Sequence, residues 1–453
     1  MNGLMQFEDP MRPATTSRRA ACAAALPLLV SLSAALSAAP PPVRIETAGD
    51  WRVRITVRLP DGQRDAELDV PPPDIVTVVD ERHATLADFD PAGPPWRKGP
   101  PLAGVRAEEC SVRGAVDPES VVVKDVAGEG GRVLVRGTDY EADLDWGSFG
   151  RLPGGGIAAD QPVFVSYRYR LRRLDSIVMA PDGSISLRPG RPHVANCEPP
   201  PLAAGEQRLA NVFIDGRVPA LTATCLYPIL ETEYPEPPRP QPSVAETLLP
   251  ATVRRLRSGE PLTVLAWGDS VTTYGRWQSM FVERLRERFP AARIELVTEA
   301  WGGRNTGSYL AEPPGSEHSY REKVLDRRPH LVVSEFVNDA GLSPEQVEER
   351  YGRLLADFRE IDAEWIILTP HYIMPSWMGL ESQREIDDDP RPYVRGVREF
   401  GRRHGVAVAD ASLRYGRLWR RGIPYQTLME NDINHPNVFG HSLFADSLLA
   451  LFP

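Results

Sequence analysis

Two hydrophobic rhythms divide this chain. From residue 246 onward, short apolar runs alternate with longer stretches in which apolar positions recur every three or four residues. The short runs are Leu262–Ala266, Arg293–Val297, Leu331–Val337, Trp365–Leu368 and Val406–Ala409. Their length and β-branched content predict strands. The longer stretches, Arg276–Phe289, Pro344–Ile361, Pro392–His404 and Val438–Leu451, carry helical periodicity. Strands separated by helices predict a parallel, doubly wound sheet in a three-layer α/β/α domain, because a parallel crossover needs a helix and each helix must bury its apolar stripe on the sheet. Gly379–Asp389 is acidic and loop-like, a candidate rim or lid.

Before Val244 the period shortens to two. Val53–Val57, Ser120–Val123, Val133–Val135, Val163–Tyr169 and Ser176–Val178 alternate or are β-branched, with turn formers such as Pro181-Asp-Gly183 and Pro189-Gly190 among them. This predicts an antiparallel β-rich, sandwich-like domain, as one unit or two smaller modules. Pro235–Pro242 reads as a stiff linker. The expected organisation is therefore an export segment at 1–39, a β-rich domain at 40–234, a Pro-rich linker at 235–245 and the α/β domain at 246–453.

The export segment follows from Arg18-Arg19 ahead of the Ala/Leu-rich stretch Ala20–Ala39, whose small residues at Ser37–Ala39 suit cleavage. It predicts a secreted or periplasmic protein with no stable membrane association after cleavage; Pro27 and the many alanines argue against a permanent span. The 453 residues suffice for two domains, and 42% hydrophobic with 25% charged residues is a globular composition. A net charge of −10 argues against nucleic acid as partner and leaves a small-molecule or polysaccharide substrate open. Cys22 departs with the export segment, leaving Cys110, Cys197 and Cys225, of which Cys197 and Cys225 are the expected pair if a disulfide forms. Their spacing suits no zinc site, and neither metal nor cofactor is expected.

Four loops of the second half carry candidate chemistry. Gly268-Asp-Ser270 follows the first strand, so Ser270 sits at a strand's carboxyl end with a helix start beside it. A serine hydroxyl needs a base to take its proton and donors for the oxyanion that forms. An imidazole ordinarily titrates near neutrality, so His435 is the candidate base; Asp432, three residues earlier, is the candidate carboxylate that fixes its tautomer. Asn338 closes the third strand and Gly303 follows the second; with the Ser270 amide they are candidate oxyanion donors. Each residue alone has an ordinary explanation as cap or turn. Their order and their shared position at strand or loop ends make a site the better account. His371 is read as a loop histidine with no assigned work, and His441 as the start of the last helix.

Gly268-Asp-Ser270, Gly302-Gly303 with Asn305-Thr306, Asn338-Asp339 and Asp432-x-x-His435 together resemble the SGNH (GDSL-type) hydrolase family over about the last two hundred residues. The resemblance implies Ser270 as nucleophile, Ser270, Gly303 and Asn338 as oxyanion hole, and His435 with Asp432 completing the triad of an esterase that needs no metal or cofactor. One position departs: the family's glycine two residues before the oxyanion asparagine is Phe336 here, which predicts a differently shaped loop. The expected function is an exported serine esterase cleaving short acyl, above all acetyl, esters on a carbohydrate. The alternatives are a lipase or thioesterase of the same family, and a non-catalytic glycan-binding protein. Trp51, Trp96 and Trp146 are read first as core or interface aromatics, and secondly as sugar-stacking platforms.

Overall fold

The computed structural model describes residues 40–234 and 240–453. The export segment at 1–39 and residues 235–239 of the proline-rich run lie outside the described residues.

The second half forms five parallel strands: β1 (Pro261–Gly268), β2 (Arg293–Ala300), β3 (Leu331–Glu335), β4 (Glu364–Leu368) and β5 (Ala407–Ala409), in spatial order β2-β1-β3-β4-β5. Their side chains feed two separate cores, which is why the runs are apolar throughout. Leu262, Val264 and Ala266 of β1 join Leu331 and Val333 of β3 on one face. Leu265 and Trp267 join Val332 and Ile367 on the other. Helices Arg276–Arg288 and Val438–Leu449 cover the first face; Pro344–Glu360 and Pro392–His404 cover the second. Local signals set the ends: Ser343 and Gln346 form a reciprocal capping box with Pro344 in the first turn, and Val347, Tyr351, Leu354 and Phe358 give the stripe that buries. This is the parallel three-layer α/β/α arrangement that the alternation of strands and helices predicted. The strand order reverses between β1 and β3, the point where open α/β sheets bind ligands.

The first half is antiparallel. Val43–Gly49, Arg52–Leu59 and Gly62–Asp69 form one sheet, and Ile185–Arg188, Arg173–Met179, Gln207–Ile214 and Leu226–Pro228 another. They share a core containing Val53, Ile55, Ile177 and Leu209. Between them in sequence, Ile75–His83, Val122–Lys124 and Val163–Arg170 build a third sheet over a distinct core around Val105, Val123 and Tyr167.

Some expectations change. Val133–Val135 forms no strand: Val133 makes one bridge, to Lys124, and both valines are more than half exposed. Cys197 and Cys225 are buried but free. Cys197 packs against Leu174, Phe213 and Trp419, whereas Cys225 lies in the first core with its thiol against Thr222. The linker stops short of 245, because Ser243 caps a helix beginning at Val244. His441 lies inside the last helix, whose cap is Asn437. The acidic loop is fastened down, with Asp387 on Arg420, Asp388 on Arg398 and Asp389 on Arg391.

Candidate active site

Strand β1 ends against its neighbours so tightly that a Cβ on Gly268 would lie 2.2 Å from Thr272 Oγ1 and 2.5 Å from the Glu335 carbonyl oxygen. Only glycine fits there. The chain then turns through Asp269 into the short helix α1 (Ser270–Thr273), with Ser270 as its first residue. First-turn amides have no partner inside their helix, so the Ser270 N–H is available to an oxyanion.

Asp269 is fully buried and accepts hydrogen bonds from the Val271 N–H (3.1 Å), the Asn338 N–H (3.0 Å) and Asn338 Nδ2 (2.9 Å). Burial pushes its carboxyl up to about 6, while those donors pull in the opposite direction. Buried Glu335 beside it is held far above the usual carboxylate range, by burial first and by the Asp269 charge second. An amide nitrogen carries two hydrogens, so Asn338 spends one on Asp269 and keeps one for a ligand. Phe336 takes ordinary extended backbone, φ −139°, and packs edge-on against Trp267 with ring centroids 4.8 Å apart. Asn338 therefore reaches the site from a short helical turn, Val337–Asp339, in which no glycine is required. Asp339 holds that turn through Thr306 and Tyr351. Gly303, at φ +69°, takes the left-handed turn after β2.

Ser270, Gly302, Gly303, Asn338 and His435 line one cavity of about 390 Å³, together with Tyr274, Trp301, Arg97 and Glu109. The structure brings the expected hydroxyl, imidazole and oxyanion donors to one cavity.

It does not bring Asp432 there. Asp432 is buried in a bidentate ion pair with Arg172, whose Nη2 lies 3.2 Å from Oδ2, and it accepts a further bond from Gln426 (3.0 Å). Arg172 also donates to Asp215 (3.1 Å). The physical reason for the misplacement is charge: a guanidinium from the front domain, more than nine-tenths buried, needs a carboxylate, and Asp432 at φ +63° turns toward it.

His435 Nδ1 instead meets Glu108 Oε2 at 2.8 Å and Glu109 Oε1 at 3.4 Å. Carboxylates only accept, so Nδ1 carries the proton and Nε2 is the basic nitrogen of the neutral ring. Burial disfavours the imidazolium, but the bonds and charges of the two glutamates outweigh it and push His435 up to about 10. For Glu109, burial opposes ionisation, yet His435 and Asn431 bring it down to about 2. Sequence reasoning missed both glutamates. They lie more than 300 positions from His435, in the antiparallel first half of the chain, and a Glu-Glu pair has no motif. Glu108, Glu109 and His435 also present ligand atoms within 4.8 Å of one another, a grouping that could hold a cation.

The histidine loop is gripped residue by residue. Glu109 takes a bond from Asn431 (3.1 Å), Arg172 takes Asp432, Ile433 packs with Trp96, Cys110 and Trp146, and Glu108 takes His435. Asn431 Oδ1 accepts the N–H groups of Ile433, Asn434 and His435. His371 is fully buried with Nε2 2.7 Å from the Asn434 carbonyl, so it braces this loop; burial and Arg391 keep it neutral.

Residues 265–443 match the GDSL-like Lipase/Acylhydrolase family. Among solved structures, the chain resembles a putative GDSL-like lipase from Parabacteroides merdae at 15% identity, covering 42% of this chain and 94% of that one with a TM-score of 0.33. A Bacillus subtilis protein is 12% identical over 90% of this chain and 87% of its own, with a TM-score of 0.34. The psychrotrophic esterase EstA of Pseudoalteromonas sp. is 18% identical, over 42% and 95%, with a TM-score of 0.29. No curated protein matches the chain significantly.

Proposed function

We propose that this chain, whose residues 265–443 carry the GDSL-type acylhydrolase match, is an exported serine carboxylic-ester hydrolase. One observation carries the reading: Ser270, at a helix start, shares a cavity with a histidine whose Nδ1 is held by carboxylate and with two further oxyanion donors. Ser270 Oγ attacks the ester carbonyl carbon as its proton passes to His435 Nε2. The carbonyl oxygen gains its negative charge facing the Ser270 and Gly303 amides and Asn338 Nδ2. Collapse breaks the carbon–oxygen bond to the alcohol, which takes the proton back from Nε2, leaving an acyl-serine. Water repeats the sequence and releases the acid. Removal of one oxyanion donor in such sites costs about 10²- to 10³-fold in turnover.

Export is supported by the charge and hydropathy pattern of residues 18–39. The first reading of the substrate is a short acyl, above all acetyl, ester carried by a carbohydrate. Its support is an open mouth that mixes aromatic faces with polar groups: Tyr274, 51% exposed, with Trp301, Arg97 and His318.

A second reading, a bulkier apolar acyl group, is favoured by a second cavity of about 740 Å³. It shares Trp96, Asn338 and Asn434 with the first and is otherwise walled mainly by Trp146, Trp377, Ile373 and Met378. Because Asn338 lines both cavities, the second lies beside the acyl chain of an ester seated in the oxyanion hole.

The test is hydrolysis of aryl acetates by the mature protein together with stoichiometric labelling at Ser270 by a fluorophosphonate. Ser270→Ala should abolish both while the circular dichroism spectrum stays unchanged. Glycan binding with neither labelling nor turnover would instead establish a lectin-like protein. A series from acetate to octanoate and benzoate then separates the two substrate readings.

A further inference from the structure

Glu108 and Glu109 form the two-residue turn of a minimal hairpin in which Arg106 pairs with Ser111 and Ala107 with Cys110. Glu108 sits there at φ +53°, the left-handed region in which a turn favours glycine or asparagine. A glutamate in that position holds a strained backbone that its Cβ disfavours. The turn is held in place by its neighbours: Trp96, Trp146 and Cys110 pack on Ile433 and Met374 from the hydrolase half. Both carboxylates are thereby delivered to His435 Nδ1, while the carboxylate of Asp432 is occupied by Arg172.

We propose that Glu108, assisted by Glu109, is the positioning carboxylate of the catalytic histidine, so that the front β-structure completes the hydrolase site in place of Asp432. The inference rests on the serine-hydrolase reading. Glu108 accepts the Nδ1 proton and fixes the tautomer that leaves Nε2 free to take the Ser270 proton. When that proton arrives, the imidazolium forms against two fixed negative charges. No proton moves to the glutamates, and the hydrolase half alone lacks the group that orients its base.

The groups facing His435 are Glu108 and Glu109 from the hairpin, Asp269 and Tyr274 from the nucleophile turn, and buried His371 and His441. Both of those histidines are held neutral by burial, so the net influence on His435 is acidic. A base stabilised as its cation is idle until it deprotonates. Turnover should therefore rise with pH toward a limb near the value of about 10 that the glutamates impose.

The test uses the full chain and four variants: Glu108→Gln, Glu108→Asp, Glu108→Gln/Glu109→Gln and Asp432→Asn. Compared above their limbs, where the imidazole is neutral in both, the double glutamine variant should lose about 10³- to 10⁴-fold in turnover of an activated ester relative to wild type. Its ascending limb should move down by more than one pH unit, a change that a purely structural defect would not cause. Glu108→Asp should restore part of the rate, and Asp432→Asn should leave the limb where it is. If the double variant does not fold, Glu108→Gln alone must show the limb shift. Turnover within about threefold of wild type with an unmoved limb would overturn the proposal, as would transfer of the whole loss to Asp432→Asn. If Ser270→Ala still hydrolyses the ester, the serine-hydrolase reading itself is at fault. If Ser270→Ala is inert and the glutamine variants are fully active, only the role of Glu108 is.

Discussion

Replacement of Arg172 by methionine separates a structural Asp432 from a catalytic one. In the native protein the two side chains are 5% and 1% exposed, joined by two hydrogen bonds, with Arg172 anchored again on Asp215 and Asp432 on Gln426. Methionine fills similar volume but leaves the Asp432 carboxylate in the interior with a single neutral donor. Stranding one member of a buried pair costs about 3–5 kcal/mol, because the remaining charge has lost both water and partner. With a urea dependence of about 2 kcal/mol per molar, the midpoint should fall by about 1.5–2.5 M. The deficit should shrink on acidification, since a protonated Asp432 needs no counter-charge. A double variant, Arg172→Met with Asp432→Leu, should recover most of the loss, as apolar replacements of buried pairs usually do. Urea unfolding followed by tryptophan fluorescence, at pH 5 and pH 8, reads all of this. A loss below about 1 kcal/mol for Arg172→Met would refute the reasoning. So would Asp432→Asn with unchanged stability and a thousandfold lower turnover, for then Asp432 would be the partner of His435 after all.

Further outcomes follow from other parts of the site. Asp269→Ala, which releases both nitrogens of Asn338, should lower kcat by about 10²-fold with little change in KM, as expected when a transition-state donor is left unaimed; an unchanged kcat would separate Asn338 from the oxyanion. Trp377→Ala removes a 43% exposed wall of the second cavity, so it should leave the fold and acetate hydrolysis intact while lowering kcat/KM for benzoate or octanoate esters about tenfold; equal effects on all esters would take the acyl group out of that cavity. Stability should also depend on pH through His435. Its folded value lies above the ordinary 6.5, so the contribution of its ion pair is full below about 6.5 and is lost as pH rises through about 10. Thermal melts of wild type should fall over that window, and the Glu108→Gln/Glu109→Gln variant should not show that part of the slope.

The α/β half was legible because its signals are local. The five apolar runs and the four helical stripes appear within a residue or three of their expected ends, since burial on both faces of a sheet and on one side of a helix writes period and length directly into sequence. The shared cavity of Ser270, Gly303, Asn338 and His435 has a related origin: the first three follow strands β1, β2 and β3, whose ends the sheet gathers together, and His435 comes from the loop before the last helix. Phe336 told less: its bulk argued against a positive φ, and the backbone there is indeed extended, but that its ring would pack on Trp267 and leave Asn338 on a short helical turn shows only in the fold.

The partner of His435 was not legible. Proximity in sequence favours Asp432, and nothing in a dipeptide at 108–109 marks it as a neighbour of His435. The choice between carboxylates is a competition among charges brought together from three distant segments: Arg172 claims Asp432 because its buried cation cannot remain unpaired, and the hairpin turn fills the vacancy at Nδ1. Patterning along a chain determines which elements form and which residues stand at their ends. Which acid faces which base depends on long-range electrostatics and desolvation, and those exist only once two domains have packed.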